Sequence, residues 1–272
     1  VTPARFVLLE HAGDPVARAL ARELAARHGE ASVIRLAAEL LGREPRWEHY
    51  LDSHTVRTVL TLNNAQRLDS AEITAVVNRL HCSTPDHLAS EHRDYAAAEV
   101  NALLLSWLRS LTCLVLNRPM PRGLAGAELS FPEWLHLAGR SGLSVGDYVF
   151  TTDARRTAAA GGGAFACSTD GGLAPDYSQR LPRFGSGRRP AVAAAVPADH
   201  PQRLLVIGRR VLGAAPQAVV EASLALAGRV GFGLLELWFA TPDWTLAGVQ
   251  PFPSELSAAE IDMLASVLEG SA

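Results

Sequence analysis

Short apolar runs alternate with amphipathic stretches along this chain, the pattern of strands interleaved with helices. Arg5 to Glu10 predicts a strand. Asp14-Pro15 then opens a helix with proline in its first turn, Val16, Leu20 and Leu24 form its apolar face, and His28-Gly29 ends it. Ser32 to Leu36 and Thr58 to Leu62 predict further strands, Asp69-Ser70 a short turn or helix, and Ala75 to Leu80 a return to the sheet. Ser83-Thr84-Pro85-Asp86 marks the start of a helix reaching about Leu111, with Leu88, Tyr95, Val100, Leu103, Leu104, Trp107 and Leu108 at helical spacing. Cys113 to Asn117 predicts a buried strand. Ser130 and Glu133 form a capping box for a helix to Ser141, Gly142 stops it, and Tyr148 to Thr152 is the next strand.

The pattern breaks between Arg155 and Arg189, where Gly161-Gly162-Gly163, Gly171-Gly172 and Gly185-Ser186-Gly187 predict a mobile connection. Order resumes with a hairpin over Leu204 to Ala214 turning near Gly208-Arg209, followed by a helix from Pro216 to Val230. Leu234 to Ala240 and Trp244 to Gln250 predict paired strands joined by Thr241-Pro242-Asp243. A second capping box, Ser257 to Glu260, starts a helix ending near Leu268. The expected fold class is α/β plus α+β: an N-terminal open α/β lobe over 1–150, a Gly-rich connection over 151–202 and a smaller C-terminal lobe over 203–272.

Composition narrows the function classes. The 272 residues suffice for one large domain or two packed lobes. The longest apolar stretch, Val100 to Leu116, is interrupted by Asn101, Ser106, Arg109 and Thr112, and falls short of the roughly 20 apolar residues of a membrane span. No charged-then-apolar leader precedes the first strand, so a cytoplasmic location is expected. Net charge is −3 with interspersed signs, which gives no nucleic-acid footprint. Cys82, Cys113 and Cys167 have neither disulfide nor zinc spacing. The chain contains no lysine; all 25 basic residues are arginine, so no flexible ammonium is available to a phosphate.

Several clusters carry candidate chemistry. His81-Cys82, followed by His87, Glu91 and His92, admits a metal pair or a Cys–His dyad, against the alternative of a polar first helical turn beside a core cysteine. Asn78-Arg79 and Asn117-Arg118 each close a strand of the first lobe, and the carboxyl ends of strands are where open α/β sheets bind ligands. Each arginine is a candidate clamp for a carboxylate, or a structural ion pair with Glu99 or Asp94. Gly161-Gly162-Gly163 lacks the Gly-Lys-Ser/Thr ending of a phosphate cradle, and no Gly-x-Ser-x-Gly elbow is present.

The order of segments resembles ATP-grasp ligases, especially those that modify ribosomal peptides. Val76-Val77-Asn78-Arg79 is similar to the family's arginine-bearing strand, Tyr95-Ala96-Ala97-Ala98-Glu99 to its long helix, and Leu114-Val115-Leu116-Asn117-Arg118-Pro119 to the strand ending in Asn. The helix from Trp134 to Leu143 and Val149-Phe150-Thr151-Thr152-Asp153 resemble the passage into the grasp domain. Arg203-Leu204-Leu205-Val206-Ile207-Gly208 resembles the strand and turn before the catalytic end, and Val249-Gln250-Pro251-Phe252-Pro253 the terminal Glu-Val-Asn-Pro-x-Pro motif.

The resemblance implies lysines on the nucleotide phosphates and acidic residues with an Asn on magnesium. Here both lysines are absent, and the Glu and Asn of the terminal motif fall on Gly248 and Gln250, leaving Glu236 as the acidic metal-ligand candidate. The stretch from 154 to 190 is also short for the strands that clamp adenine. The expectation is a degenerate ATP-grasp-like scaffold without cofactor that binds a peptide, a carboxylated small molecule or a protein partner, including a second copy of itself. Two alternatives stand beside it. One is an active ATP- and magnesium-dependent carboxylate–amine ligase in which Glu236 and Arg188, Arg189, Arg203 or Arg209 have taken over; the other is a different enzyme built on His81, Cys82 or the Arg79 and Arg118 pair.

Overall fold

The structure is a computed structural model that describes residues 5–43, 45–80, 89–146, 148–151, 191–194 and 201–270. The chain divides into two compact units, one of Val1–Ala127, Gly231–Gly233 and Ser254–Ala272, the other of Glu128–Val230 and Leu234–Pro253. These units do not follow the lobes drawn at 150 and 203. Residues 128–150 fall with the second unit, and the C-terminal helix returns to the first.

The first unit opens with β1 (Phe6–Glu10), α1 (Pro15–His28) and β2 (Val33–Ala37). Asp14 Oδ1 accepts the backbone N–H groups of Val16 and Ala17, each at 3.0 Å, so the cap precedes Pro15 as the sequence predicts. Three antiparallel strands follow: β3 (Arg46–Leu51), β4 (Val56–Thr61) and β5 (Arg67–Asp69). β6 (Ala75–Asn78), α2 (Ser90–Ser110) and β7 (Leu114–Leu116) then complete a parallel sheet in the order β2-β1-β6-β7. The helix start expected at 83–86 lies outside the described residues.

The Thr58 to Leu62 run belongs to the separate antiparallel sheet rather than to the parallel one. Strand β3 escapes sequence analysis because its residues, from Arg46 to Leu51, are half-buried or exposed and carry no clean alternation. It is tied to α2 by His49, whose ring nitrogens lie 2.8 Å from Thr58 Oγ1 and 2.9 Å from Ser106 Oγ. One core joins Val7, Leu9, Ile34, Val76 and Val115 of the parallel sheet to Leu60 and Leu68 of the antiparallel one and to Leu104, Trp107 and Leu108 of α2.

The second unit contains α3 (Phe131–Arg140), β8 (Ser144–Val145), β9 (Tyr148–Thr151), β10 (Ala191–Ala194), β11 (Gln202–Ile207), β12 (Arg210–Leu212), α4 (Gln217–Val230), β13 (Leu234–Ala240) and β14 (Thr245–Gln250). The Ser130–Glu133 capping box forms as expected. β11, β13 and β14 are antiparallel neighbours in a five-stranded sheet ordered β12-β11-β13-β14-β8. β10, placed by the sequence in the connection, pairs antiparallel with β9.

The last helix, α5 (Ala258–Glu269), carries the second capping box and buries Ile261, Leu264 and Leu268. It packs on α1, where Arg27 reaches Asp262 at 2.6 Å and Glu269 at 3.0 Å, and His28 Nε2 lies 2.8 Å from Glu269. This apolar and ionic contact is why the chain's end belongs to the first unit. Among the described residues no helix is long and apolar enough to cross a membrane.

Candidate functional site

In the parallel sheet, the connection from β1 leads to β2 on one side while β6 lies on the other, so the strand order reverses between β1 and β6. Ligands of open α/β sheets bind outside the carboxyl ends of the strands at such a point. Glu10 ends β1, and Asn78-Arg79 close β6. Arg79 is 4% exposed, and its Nε donates to Asp14 Oδ2 at 2.6 Å. Asp14 thus caps α1 with one oxygen and holds Arg79 with the other; the ion pair is with Asp14, neither Glu99 nor Asp94.

Beside it Glu10 is 3% exposed, with Oε1 accepting from Nε of Arg35 at 2.8 Å and also from Nη2. Glu10 Oε2 has no hydrogen-bond partner among the described residues. Burial pushes the Glu10 carboxyl above its ordinary range, Arg35 opposes that rise, and the Asp14 charge adds to it. Neither Glu10 nor Arg35 stands in a motif, although Arg35 interrupts the apolar run Val33-Ile34-Arg35-Leu36-Ala37 and Glu10 closes another.

The other strand-closing residues have local partners. Asn78 and Asn117 are fully buried. Asn78 Nδ2 donates to the carbonyls of Asn117 (3.1 Å) and Leu124 (2.8 Å), while Asn117 Nδ2 donates to the Asn78 carbonyl (3.0 Å) and its Oδ1 accepts from Gly233 N–H (3.0 Å). These crossed amides lock β6 to β7. Arg118 donates through Nη1 to the carbonyls of Leu108 and Leu111, both at 3.1 Å, and through Nη2 to that of Cys113 at 3.0 Å. A cation therefore sits on the otherwise unsatisfied carbonyls ending α2.

In the second unit, register puts Glu236 opposite Gln250 and Trp238 opposite Gly248, so the positions matched to the family's terminal Glu and Asn share a sheet face with Glu236. Glu236 is 7% exposed, and its Oε1 accepts from Arg203 Nε. Gln250 Nε2 donates to the Phe252 carbonyl at 3.0 Å. Magnesium takes oxygen ligands in near-octahedral geometry, usually with carboxylates and phosphates. One carboxylate already neutralised by arginine, one carboxamide and a glycine do not fit that demand.

His81, Cys82 and His87 lie outside the described residues, as do the glycine clusters, Arg188 and Arg189. Glu91 and His92 are highly exposed neighbours, 3.6 Å apart. Among the described residues no group of three or more His, Cys, Asp or Glu side chains could hold a metal ion.

No protein-family model matches the sequence, and no curated protein matches it either. Solved structures do. The macrocyclase MdnC from Microcystis aeruginosa MRC, bound with precursor peptide MdnA, aligns over 98% of this chain and 100% of its own at 14% identity and a TM-score of 0.70. A RiPP-associated ATP-grasp ligase of Chryseobacterium gregarium, in complex with ADP and a leader and core peptide, aligns over 99% and 97% at 13% identity and a TM-score of 0.69. The ATP-grasp ligase PsnB, complexed with a minimal precursor, aligns over 99% of each chain at 16% identity and a TM-score of 0.67. This chain has the ATP-grasp-like fold of those peptide-modifying ligases.

Proposed function

We propose that this protein is a degenerate ATP-grasp-like scaffold of peptide maturation that binds a peptide, a carboxylated ligand or a catalytic partner and no longer uses ATP. The observation that carries this reading is the β13–β14 sheet face, where Glu236 is ion-paired with Arg203 and its neighbours are Gly248 and Gln250. Magnesium neutralises charge on a transferring phosphoryl group, and among the described residues this face supplies no second carboxylate for it. The absence of lysine removes the usual flexible cation as well. Peptide binding is supported by the structural neighbours MdnC, bound with precursor peptide MdnA, and the Chryseobacterium gregarium ligase, in complex with a leader and core peptide.

The alternative, an active ligase, draws on one observation: Arg203 shares the face with Glu236, and arginine binds phosphate bidentately. Phosphate release from Mg-ATP in the presence of candidate precursor peptides separates the two. The proposed scaffold releases none above background. Steady release that disappears in Glu236→Gln would establish the ligase.

A further inference from the structure

Helix α2 meets the core along one side only, where Leu104, Trp107 and Leu108 are buried and Val100 packs beside them. The opposite side is exposed from end to end and carries Glu91, Tyr95, Ala98, Ala102, Leu105 and Arg109. Steps of four, three, four, three and four residues separate these six. That spacing keeps a stripe on one face of a helix and is the spacing by which two helices pack side by side. The middle of the stripe is apolar, and Tyr95 is left 72% exposed. Surface continues beside it on β3. Trp47 meets Trp107 edge-on and His49 reaches Ser106, while Leu51, on the same strand face, and its register partner Val56 are exposed.

The stripe is symmetric about Val100. Read from its two ends, Glu91 matches Arg109, Tyr95 matches Leu105 and Ala98 matches Ala102. A second copy of α2 laid antiparallel therefore brings acid to arginine at both ends of the contact and tyrosine onto leucine inside them. The alanines fall at the centre, where small side chains let two helix axes approach to the near end of the usual range of about 8–10 Å. A parallel copy would set glutamate on glutamate and arginine on arginine. Glu91 is available for such a pair, since its side chain is 76% exposed and its neighbour His92 stands 3.6 Å away. Charge and shape thus complement each other within one sequence, which is what an isologous twofold contact requires.

We infer that the exposed face of α2 is a self-association surface, on which two copies of this chain pair through antiparallel α2 helices about a twofold axis beside Ala98 and Ala102. Glu99, exposed and next to Ala98, lies close to that axis and faces its own copy, so like charge holds the contact below its full strength. The occupant is a second copy of this chain, and the surface is separate from the Glu236 face on which the proposed function rests.

Sedimentation velocity of the full chain over a concentration series tests this, with a thermal melt of every variant to confirm folding. A concentration-dependent dimer is expected. Ala98→Arg sets a bulky charge at the centre and yields a monomer with an unchanged Tm, because the residue points away from the core. Glu91→Arg and Arg109→Glu each turn both end pairs repulsive and weaken the dimer about tenfold, whereas the double reversal restores it. Glu99→Gln tightens it. A chain that stays monomeric up to about 100 μM, which would leave the face to some other helical partner, overturns the inference. So does a dimer indifferent to Ala98→Arg, or a double reversal no stronger than either single one. Tight Mg-ATP binding overturns the functional proposal and leaves these outcomes unchanged.

Discussion

Asn117 tests whether the strand-closing asparagines are structural locks or ligand contacts. Asn117→Ala removes two hydrogen bonds of 3.0 Å, one to the Asn78 carbonyl and one from the Gly233 N–H. Each leaves a group with reduced access to water, at about 1–3 kcal/mol apiece. The backbone adds to this: Asn117 has φ of 59°, a left-handed conformation that asparagine tolerates and that costs alanine roughly 1 kcal/mol more. The sum is about 3–7 kcal/mol, a large share of the roughly 5–15 kcal/mol that holds a typical domain together. Asn117→Gly loses the same bonds without the steric cost, so it should recover about 1 kcal/mol relative to alanine. Urea unfolding followed by tryptophan fluorescence measures both. An alanine variant within about 0.5 kcal/mol of wild type, or alanine and glycine variants of equal stability, refutes the lock, since an amide kept for a ligand can be removed from the free protein at little cost.

Asp14→Asn keeps a capping side chain but removes the charge facing buried Arg79, and is expected to cost about 3 kcal/mol in the same unfolding assay. Gly126→Ala places a methyl 2.5 Å from the Phe232 ring at a φ of 77°, and the clash with the strain should lower stability by about 2–4 kcal/mol, read as a drop in Tm. Ser257→Ala opens the capping box of α5 and should cost about 1 kcal/mol. For Glu269, burial pushes the carboxyl up, but the hydrogen bonds from His28 and Arg27 outweigh it and the net shift is downward. Its contribution is therefore present above the ordinary glutamate range and lost as pH falls through the lowered value. Glu269→Gln should flatten that acid limb of the stability–pH curve, and an unchanged limb would show that the α1–α5 contact does not titrate.

Elements whose apolar residues face one core were legible in the sequence: β1, α1, α3, the β11–β12 hairpin and α5 all appear with their caps and stops. The sheet to which Thr58 to Leu62 belongs was not legible, because an apolar run is compatible with either a parallel or an antiparallel neighbour. β3 was invisible for a different reason: apart from Trp47, which packs against the core, its side chains are polar or exposed and give no apolar alternation, and its pairing depends on backbone bonds to β4. At the site, the spacing of Asn78-Arg79 and Asn117-Arg118 correctly located the carboxyl edge of the sheet. It said nothing of Asp14 as the partner of Arg79, 65 residues away in sequence. The Glu10–Arg35 pair has only the weak signal of charged residues inside or closing apolar strands. Gly248 and Gln250 were legible as departures from the family motif, but only register shows them on the same face as Glu236.

The proposed function requires that the Glu236 face not support Mg-ATP. Isothermal titration of the purified chain with ATP and excess magnesium tests it without knowledge of the substrate. No saturable heat is expected up to millimolar nucleotide, with and without magnesium. A saturable, magnesium-dependent isotherm in the micromolar range, abolished by Glu236→Gln, would contradict it.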